Sequence, residues 1–222
     1  MNKILMGLVI ICLIGSVLYK KWASSYTLKK LYQLRAAGDS EQFIRAVDSD
    51  FASFHFSAFT RGFMKLNYWI GLENDREVEA LIPALEAVKS TPRDKIALYS
   101  KLFGYALQRG RGDEAVRYQK ELEQLLKNRT DRQSAAMRRE VRQLEQIYLK
   151  RDVSVIPELE KSLAGADGET EAVVCYRLAK LYYAKGDENR VAEYLQRAYR
   201  RTAGVQSRRH LEQAISDHSI LK

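Results

Sequence analysis

Turn-forming dipeptides recur along this chain about every 35 residues, and each lies between stretches whose apolar residues are three or four positions apart. The turns are Gly38-Asp39, Asn74-Asp75, Gly110-Arg111, Arg151-Asp152 and Gly186-Asp187, with spacings of 36, 36, 41 and 35 residues. Glycine or asparagine at such a turn ends one helix in the left-handed conformation, and aspartate, present at four of the five, caps the next. This recurrence predicts an all-α chain of stacked helical hairpins that bury one another's apolar faces.

The rest of the chain is consistent with this prediction. Hydrophobic residues make up 46% of the sequence, enough for a folded core, and no stretch sustains the alternation of a strand. Phenylalanines between Phe51 and Phe63 alternate in part, but they lie between helical patterns. We expect them to form a helix junction whose aromatic side chains fill the core.

The clearest repeat runs from Glu171 to Thr202. Its informative residues are Leu178, Ala179 and Tyr182 in the first helix, the Gly186-Asp187 turn, and Leu195 and Ala198 in the second helix. With these residues the segment resembles the tetratricopeptide repeat (TPR) family. Val191 departs from the alanine that the family prefers, and Ala203 stands where proline is common.

The resemblance extends more loosely over most of residues 27–203, with about five extra residues around Lys127 to Gln133 in the fourth repeat. It implies a TPR-like α-solenoid of about five helical hairpins over residues 23–203. The more polar segment 204–222 then suits a C-terminal capping helix that covers the last hairpin.

An apolar run of sixteen residues without charge, Ile4 to Tyr19, lies near the N-terminus. As a helix it would span roughly 24 Å, somewhat less than the roughly 30 Å hydrocarbon core, and the flanking lysines can snorkel. Residues 1–22 therefore predict an uncleaved single-pass transmembrane anchor. A cleaved signal peptide is the alternative, although Lys20, Lys21 and Trp22 are bulky where a signal peptidase requires small residues.

The charges around this run predict the side on which the body lies. Five basic residues and no acidic one lie between Lys20 and Asp39, whereas Lys3 is the one basic side chain before the run. The positive-inside tendency places the helical body in the cytoplasm. The opposite orientation stays open, because a short N-terminus with a lysine also tends to remain inside.

The chain carries a net charge of +9, which is compatible with anionic partners. Residues 1–92 contain 11 basic and 9 acidic side chains, a net of +2, and residues 93–222 contain 26 and 19, a net of +7. Basic residues alternate with acidic ones along the helical patterns, as on solvated helix faces. We therefore do not favour nucleic acid as the partner.

No set of residues in the sequence suggests catalysis, a cofactor or a metal. His210 and His218 lack the cysteines or acids of a zinc site, and we expect both to be exposed polar residues. His55 lies among phenylalanines and is expected to be a junction residue. Cys175 stands at an apolar helical position and is expected to be a small buried hydrophobe. The sequence thus predicts a protein that is not an enzyme.

The TPR resemblance implies a binding face, because in this family the first helices of the hairpins line a concave groove that holds peptides. The corresponding residues here are Lys65, Trp69, Lys101, Gln108, Arg138, Arg142, Tyr148, Tyr176, Lys180 and Tyr183. Aromatic side chains mixed with lysine and arginine suit an acidic peptide with apolar anchors. We expect a membrane-tethered scaffold that binds a protein. The alternatives are an extracytoplasmic factor that assists envelope proteins and a basic solenoid that binds nucleic acid.

Overall fold

The computed structural model describes residues 25–34 and 36–222, with the side chains of Val205 and Gln206 left out. Throughout this part of the chain the regular secondary structure is helical and no strand occurs, which confirms the all-α prediction. The expected anchor, residues 1–22, lies outside the described residues. Among the helices that are described, none has both the length and the apolarity required to cross a bilayer.

The described residues divide into two compact units, with the boundary between Lys101 and Leu102. The helices of the first unit are α1 (residues 25–34), α2 (Ser40–Asp48), α3 (Asp50–His55), α4 (Ala58–Gly71), α5 (Asp75–Ala87) and the first part of α6 (Pro92–Gln108). Thr91 starts α6 with a reciprocal cap. Its hydroxyl accepts a hydrogen bond from the backbone N–H of Asp94 at 3.2 Å, and the Asp94 carboxylate accepts one from the backbone N–H of Thr91 at 3.0 Å.

The second unit contains the end of α6 and all later elements. These are α7 (Gly112–Leu126), α8 (Arg132–Leu144), a π-helical turn (Glu145–Leu149), a 3₁₀ turn (Val153–Val155), α9 (Ile156–Leu163), α10 (Gly168–Lys185), α11 (Glu188–Arg201), α12 (Val205–Ser216) and a 3₁₀ turn (His218–Leu221). In this unit α10 packs along α11, with α9 against α10 and α12 against α11.

The glycine turns adopt the predicted geometry. Gly38, Gly110 and Gly186 have φ values of +73°, +67° and +79°, the left-handed conformation that glycine adopts at least cost. The carboxylate of Asp39 accepts a hydrogen bond from the backbone of α2 at 2.9 Å, and that of Asp187 accepts one from the backbone of α11 at 3.1 Å. At these turns the local sequence determines where one helix stops and the next begins.

The prediction was wrong in detail at the turn before α5. Glu73, not Asn74, is the left-handed residue, with φ +56°. Asn74 is the cap, since its side chain accepts from the backbone N–H of Glu77 at 3.3 Å, and Asp75 is already the first helical residue. Asparagine serves both as a cap and as a left-handed residue, so the dipeptide alone does not fix the register.

The prediction for the phenylalanines between Phe51 and Phe63 holds only in part. The segment is a junction between α3 and α4, and Phe59 is buried there. Phe51 and Phe54 do not fill the core, because they are 45% and 77% exposed. The short helix α3 buries Ala52 instead, so its phenylalanines lie on the sides that face water.

The first unit has a core cluster between α1, α2 and α4, formed by Leu31, Phe43, Val47 and Tyr68. The rings of Phe43 and Tyr68 stack with centroids 4.1 Å apart, and the Tyr68 hydroxyl lies 2.9 Å from that of Ser40. This arrangement buries the ring and still satisfies its polar end.

The second unit has a larger cluster that joins α9, α10, α11, α12 and the C-terminal 3₁₀ turn. Leu178 and Ala179 of α10, and Leu195 and Ala198 of α11, are all 0% exposed. Small side chains in this seam allow the two helices to approach closely. Glu160 of α9 is bound to the same hairpin, because it accepts hydrogen bonds from the hydroxyls of two core tyrosines at 2.7 and 3.0 Å.

Candidate functional site

Helix α10 lies at the centre of the second unit, and its faces contact different elements. One face forms the seam with α11. The cysteine in this core, Cys175, is 0% exposed, and burial raises the pKa of its thiol to about 11. The prediction that it is a small buried hydrophobe is confirmed. A further stripe of α10 carries Tyr176, Lys180 and Tyr183, spaced four and three residues apart as on one side of a helix.

Buried charge fixes α10 against α11 near its N-terminal end. The Glu171 carboxylate is 4% exposed and accepts hydrogen bonds from the guanidinium Nε atoms of Arg197 at 2.6 Å and Arg201 at 2.8 Å. The hydrogen bond from Arg197 is the main reason why the pKa of Glu171 lies below its ordinary value. A buried carboxylate is tolerated here because two cations neutralise it.

A second set of polar contacts joins α10 to α8. Arg177, whose side chain is 13% exposed, donates to the Gln143 side-chain oxygen at 2.9 Å and forms an ion pair with Glu140. These contacts cross more than thirty residues of sequence and hold the π-helical turn that follows α8 beside α10. Tyr148 lies in that turn, close to the stripe on α10.

Lys180 lies over the ring of Tyr148, with its ammonium 5.2 Å from the ring centroid. Burial lowers the pKa of Lys180 to about 8, and the positive charge of Arg151 acts in the same direction. Burial also raises the pKa values of Tyr148 and Tyr176. Of the predicted binding residues, Tyr148, Tyr176 and Lys180 thus form one partly buried cluster, which we call the α10 face.

The α10 face is in contact with the C-terminal segment of the chain, residues 217–222. The Lys180 ammonium donates to the backbone carbonyl of Leu221 at 2.8 Å and to that of Lys222 at 3.4 Å. The Leu221 side chain is 2% exposed and belongs to the core cluster of the second unit. A lysine that sequence reasoning assigns to a partner therefore binds main-chain carbonyls of its own chain.

Both C-terminal histidines are partly buried and make side-chain contacts, so the prediction that they are exposed polar residues holds only in part. The Nε2 atom of His210 in α12 lies 2.8 Å from the hydroxyl of Tyr176. The Nδ1 atom of His218 lies 2.6 Å from a carboxylate oxygen of Glu188. Each contact joins residues at least thirty positions apart, so hydrophobic spacing gave no signal of it.

The other predicted residues of the second unit lie in different settings. Arg138 donates from Nη1 to the carbonyls of Leu126 and Arg129 at 2.8 Å each, so it caps the C-terminal end of α7. Gln108 and Arg142 are exposed, and Tyr183 is half-buried against the core cluster.

The predicted residues of the first unit have structural contacts. Lys65 binds both carboxylate oxygens of Asp48, at 2.9 and 3.1 Å. Trp69 packs against the core cluster and meets Tyr68 edge-on, with centroids 5.1 Å apart. Lys101, the last residue of this unit, is partly buried in α6.

A small groove lies between α7 and α8 within the second unit. Its floor is formed by Leu122, Leu126 and Val141, and charged side chains that include Arg142 line its edge. The volume is about 170 Å³. This is less than the roughly 300–1,000 Å³ of small-molecule sites, so the groove is of the size that receives one side chain.

Sequence reasoning missed Arg177, His210 and Leu221, three residues that shape the α10 face. Arg177 and His210 act through long-range contacts that leave no periodic pattern. Leu221 stands seven residues after Ala214, a spacing that the predicted continuous capping helix would also give, so nothing in the sequence indicated the break at Asp217. Among the described residues, no three histidine, cysteine or acidic side chains converge where they could hold a metal ion.

No family model matches this chain, and neither the curated proteins nor the solved structures contain a significant match to it. Its function therefore has to be inferred from its own residues.

Proposed function

We propose that this protein is a membrane-tethered, non-catalytic adaptor whose TPR-like helical hairpins bind a partner polypeptide through the α10 face. One observation carries the proposal: this face already holds a polypeptide segment. It buries Leu221 and donates a hydrogen bond from Lys180 to a main-chain carbonyl. Buried apolar anchors combined with hydrogen bonds to the main chain are the means by which proteins recognise peptides.

The hairpins support a TPR-like scaffold. The α10–α11 pair has a left-handed glycine turn, an aspartate cap and the four fully buried seam residues that carry the family resemblance. In the first unit α4 and α5 form a second hairpin, packed so closely that a Cβ atom on Gly62 would lie 2.8 Å from Leu85. Two hairpins with intimate packing favour a repeat architecture over a set of unrelated helices.

The membrane part of the proposal comes from the sequence. The apolar run of residues 4–19 and the basic stretch that follows it favour a single-pass anchor with a cytoplasmic body. Confinement to a membrane raises the effective concentration of an adaptor and a partner that share it, so a modest affinity suffices for binding.

The charge of the second unit favours a protein partner with acidic character. Arg142 is exposed beside the groove between α7 and α8. Several other cations in this unit, among them Arg177, Arg197 and Arg201, already pair with carboxylates, which leaves fewer for the phosphates of a nucleic acid.

Site-specific photocrosslinking in the membrane tests the proposal. A photoreactive residue is placed at Arg142, at Tyr183 or, as a control, at Gln196, an exposed residue of α11. We expect one discrete polypeptide to crosslink from Arg142 and Tyr183 but not from Gln196. Equal labelling from all three positions, or none from any, would overturn the proposal.

A further inference from the structure

We propose that the α10 face is a site for a short segment with a leucine-like anchor, that residues 217–222 occupy it in cis, and that a partner must displace them. This inference rests on the proposed function, which it deepens by naming the class of ligand and the means of control.

The segment contacts the face as a peptide ligand would. Leu221 is buried against the face and is only 2% exposed, whereas its neighbour Ile220 is 37% exposed. Lys180 recognises main-chain carbonyls, so this contact does not depend on the side chains of the segment. A single apolar anchor with a main-chain hydrogen bond specifies a class of ligand: a short segment with one large aliphatic side chain.

The segment is connected to the helical body by a break in the backbone. Helix α12 ends at Ser216, and Asp217 has extended angles of φ −141° and ψ 96°. The Asp217 carboxylate then starts the 3₁₀ turn by accepting from the backbone N–H of Ser219 at 2.9 Å. Because this cap is local, the turn can leave the face as a unit while α12 stays in place.

The segment buries fewer residues than α12 does. Leu221 is the one buried residue among residues 217–222. His218 contacts Glu188 at 2.6 Å, and the His218 side chain is 26% exposed. By contrast α12 buries Leu211 and Ala214 at 5% and 0% exposure and is also joined to Tyr176 through His210. The segment is therefore held more weakly than the helix that precedes it.

The charges around the face indicate a better ligand than the resident segment. Lys180 is the nearest cation, and Arg151 is close enough to act on it electrostatically. Residue 222 follows the anchor, and its carbonyl lies 3.4 Å from the Lys180 ammonium. An acidic residue at this position would add attraction to Lys180 and Arg151, so the preferred ligand combines an aliphatic anchor with a following acidic residue.

The test uses a labelled synthetic peptide of residues 215–222 and two proteins, the full chain and the full chain shortened by residues 217–222. Fluorescence anisotropy measures binding. We expect the shortened chain to bind the peptide at least tenfold more tightly than the full chain does. The same peptide with Leu221→Ala should lose at least tenfold in affinity, and with Lys222→Glu it should gain. Equal binding to both proteins, or none to a shortened chain with native circular dichroism, overturns the inference.

Hydrogen exchange on the unmodified full chain decides the question if the shortened chain does not fold. The backbone N–H groups of Ile220 and Lys222 are bonded within the turn, at 3.3 and 3.1 Å. We expect them to exchange at least tenfold faster than the amides of α11. If these amides were as well protected as those of α11, the segment would be a permanent part of the core and the inference would be overturned. The two experiments fail separately: slow exchange would overturn displacement of the segment, whereas the absence of a partner crosslink from Arg142 and Tyr183 would overturn the proposed function.

Discussion

Lys180 has a partly buried ammonium that donates to two main-chain carbonyls, and its burial makes the α10 face sensitive to pH. Because burial lowers the pKa of Lys180 to about 8 in the folded protein, against 10.5 as its ordinary value, the unfolded chain binds more protons between these values. The contribution of Lys180 to the free energy of unfolding therefore increases as the pH rises from 8 towards 10.5. Below pH 8 the folded protein carries the unfavourable buried charge.

Replacement of Lys180 tests this reasoning. In Lys180→Met the contribution disappears, so the stability of the wild type relative to the variant should rise between pH 7 and pH 9.5. Urea unfolding followed by circular dichroism at the two pH values measures the difference. Lys161→Met, at an exposed lysine of α9, is the control and should show no such rise. If the stability of the wild type relative to each variant changed equally with pH, the lowered pKa assigned to Lys180 would be contradicted.

The carboxylate of Glu171 should have the opposite pH dependence. Its pKa is lowered in the folded state, mainly by the hydrogen bond from Arg197, so its contribution is complete above its ordinary value of 4.5 and is lost as the pH falls below it. Glu171→Gln should therefore destabilise the protein at pH 7 and much less at pH 3.5. Glu158→Gln, at an exposed position of α9, should have little effect at either pH. Thermal unfolding at both pH values provides the comparison.

At the scale of the element, the turn between α10 and α11 depends on the left-handed conformation of Gly186. An alanine there costs about 1–2 kcal/mol, because its Cβ atom disfavours a positive φ. Gly165 is a matched control, since its φ is not positive and its added Cβ atom would meet nothing within 4 Å. We expect Gly186→Ala to lower the free energy of unfolding and Gly165→Ala to leave it within about 0.5 kcal/mol. Equal losses would contradict the assigned turn.

The α10–α11 seam should be the most sensitive part of the hairpin to loss of volume. Leu178→Ala removes a side chain that is 0% exposed, and such changes cost about 2–5 kcal/mol. Val173→Ala, on the same helix but at a position that is 48% exposed, should cost less than about 0.5 kcal/mol. Denaturant titrations of the two variants measure the contrast, and a small effect of Leu178→Ala would show that the hairpin is not tightly packed.

These elements also show which features of the fold can be predicted from the sequence. Gly38, Gly110 and Gly186 were predicted correctly because the left-handed requirement of a turn is local and glycine satisfies it best. The exposure of Phe54 could not be predicted in the same way, because it depends on which side of a short helix faces the core. The contact of Lys180 with Leu221 could not be predicted either, because it joins residues forty-one positions apart and no periodic pattern indicates it.

At the scale of the whole molecule, we propose a membrane tether, a set of helical hairpins and a face that binds a polypeptide. The tether remains a prediction from residues 1–22. The face rests on the contacts of Tyr148, Tyr176 and Lys180 in the second unit. We propose that the protein binds partners at a membrane and that a partner must displace residues 217–222 to bind.

The most direct measurement combines the photocrosslink from Tyr183 with competition by the peptide of residues 215–222. The account predicts that excess peptide suppresses the crosslink to the partner. The same peptide with Leu221→Ala should leave that crosslink intact. A crosslink that persists at saturating peptide would contradict the claim that partner and C-terminal segment share the α10 face.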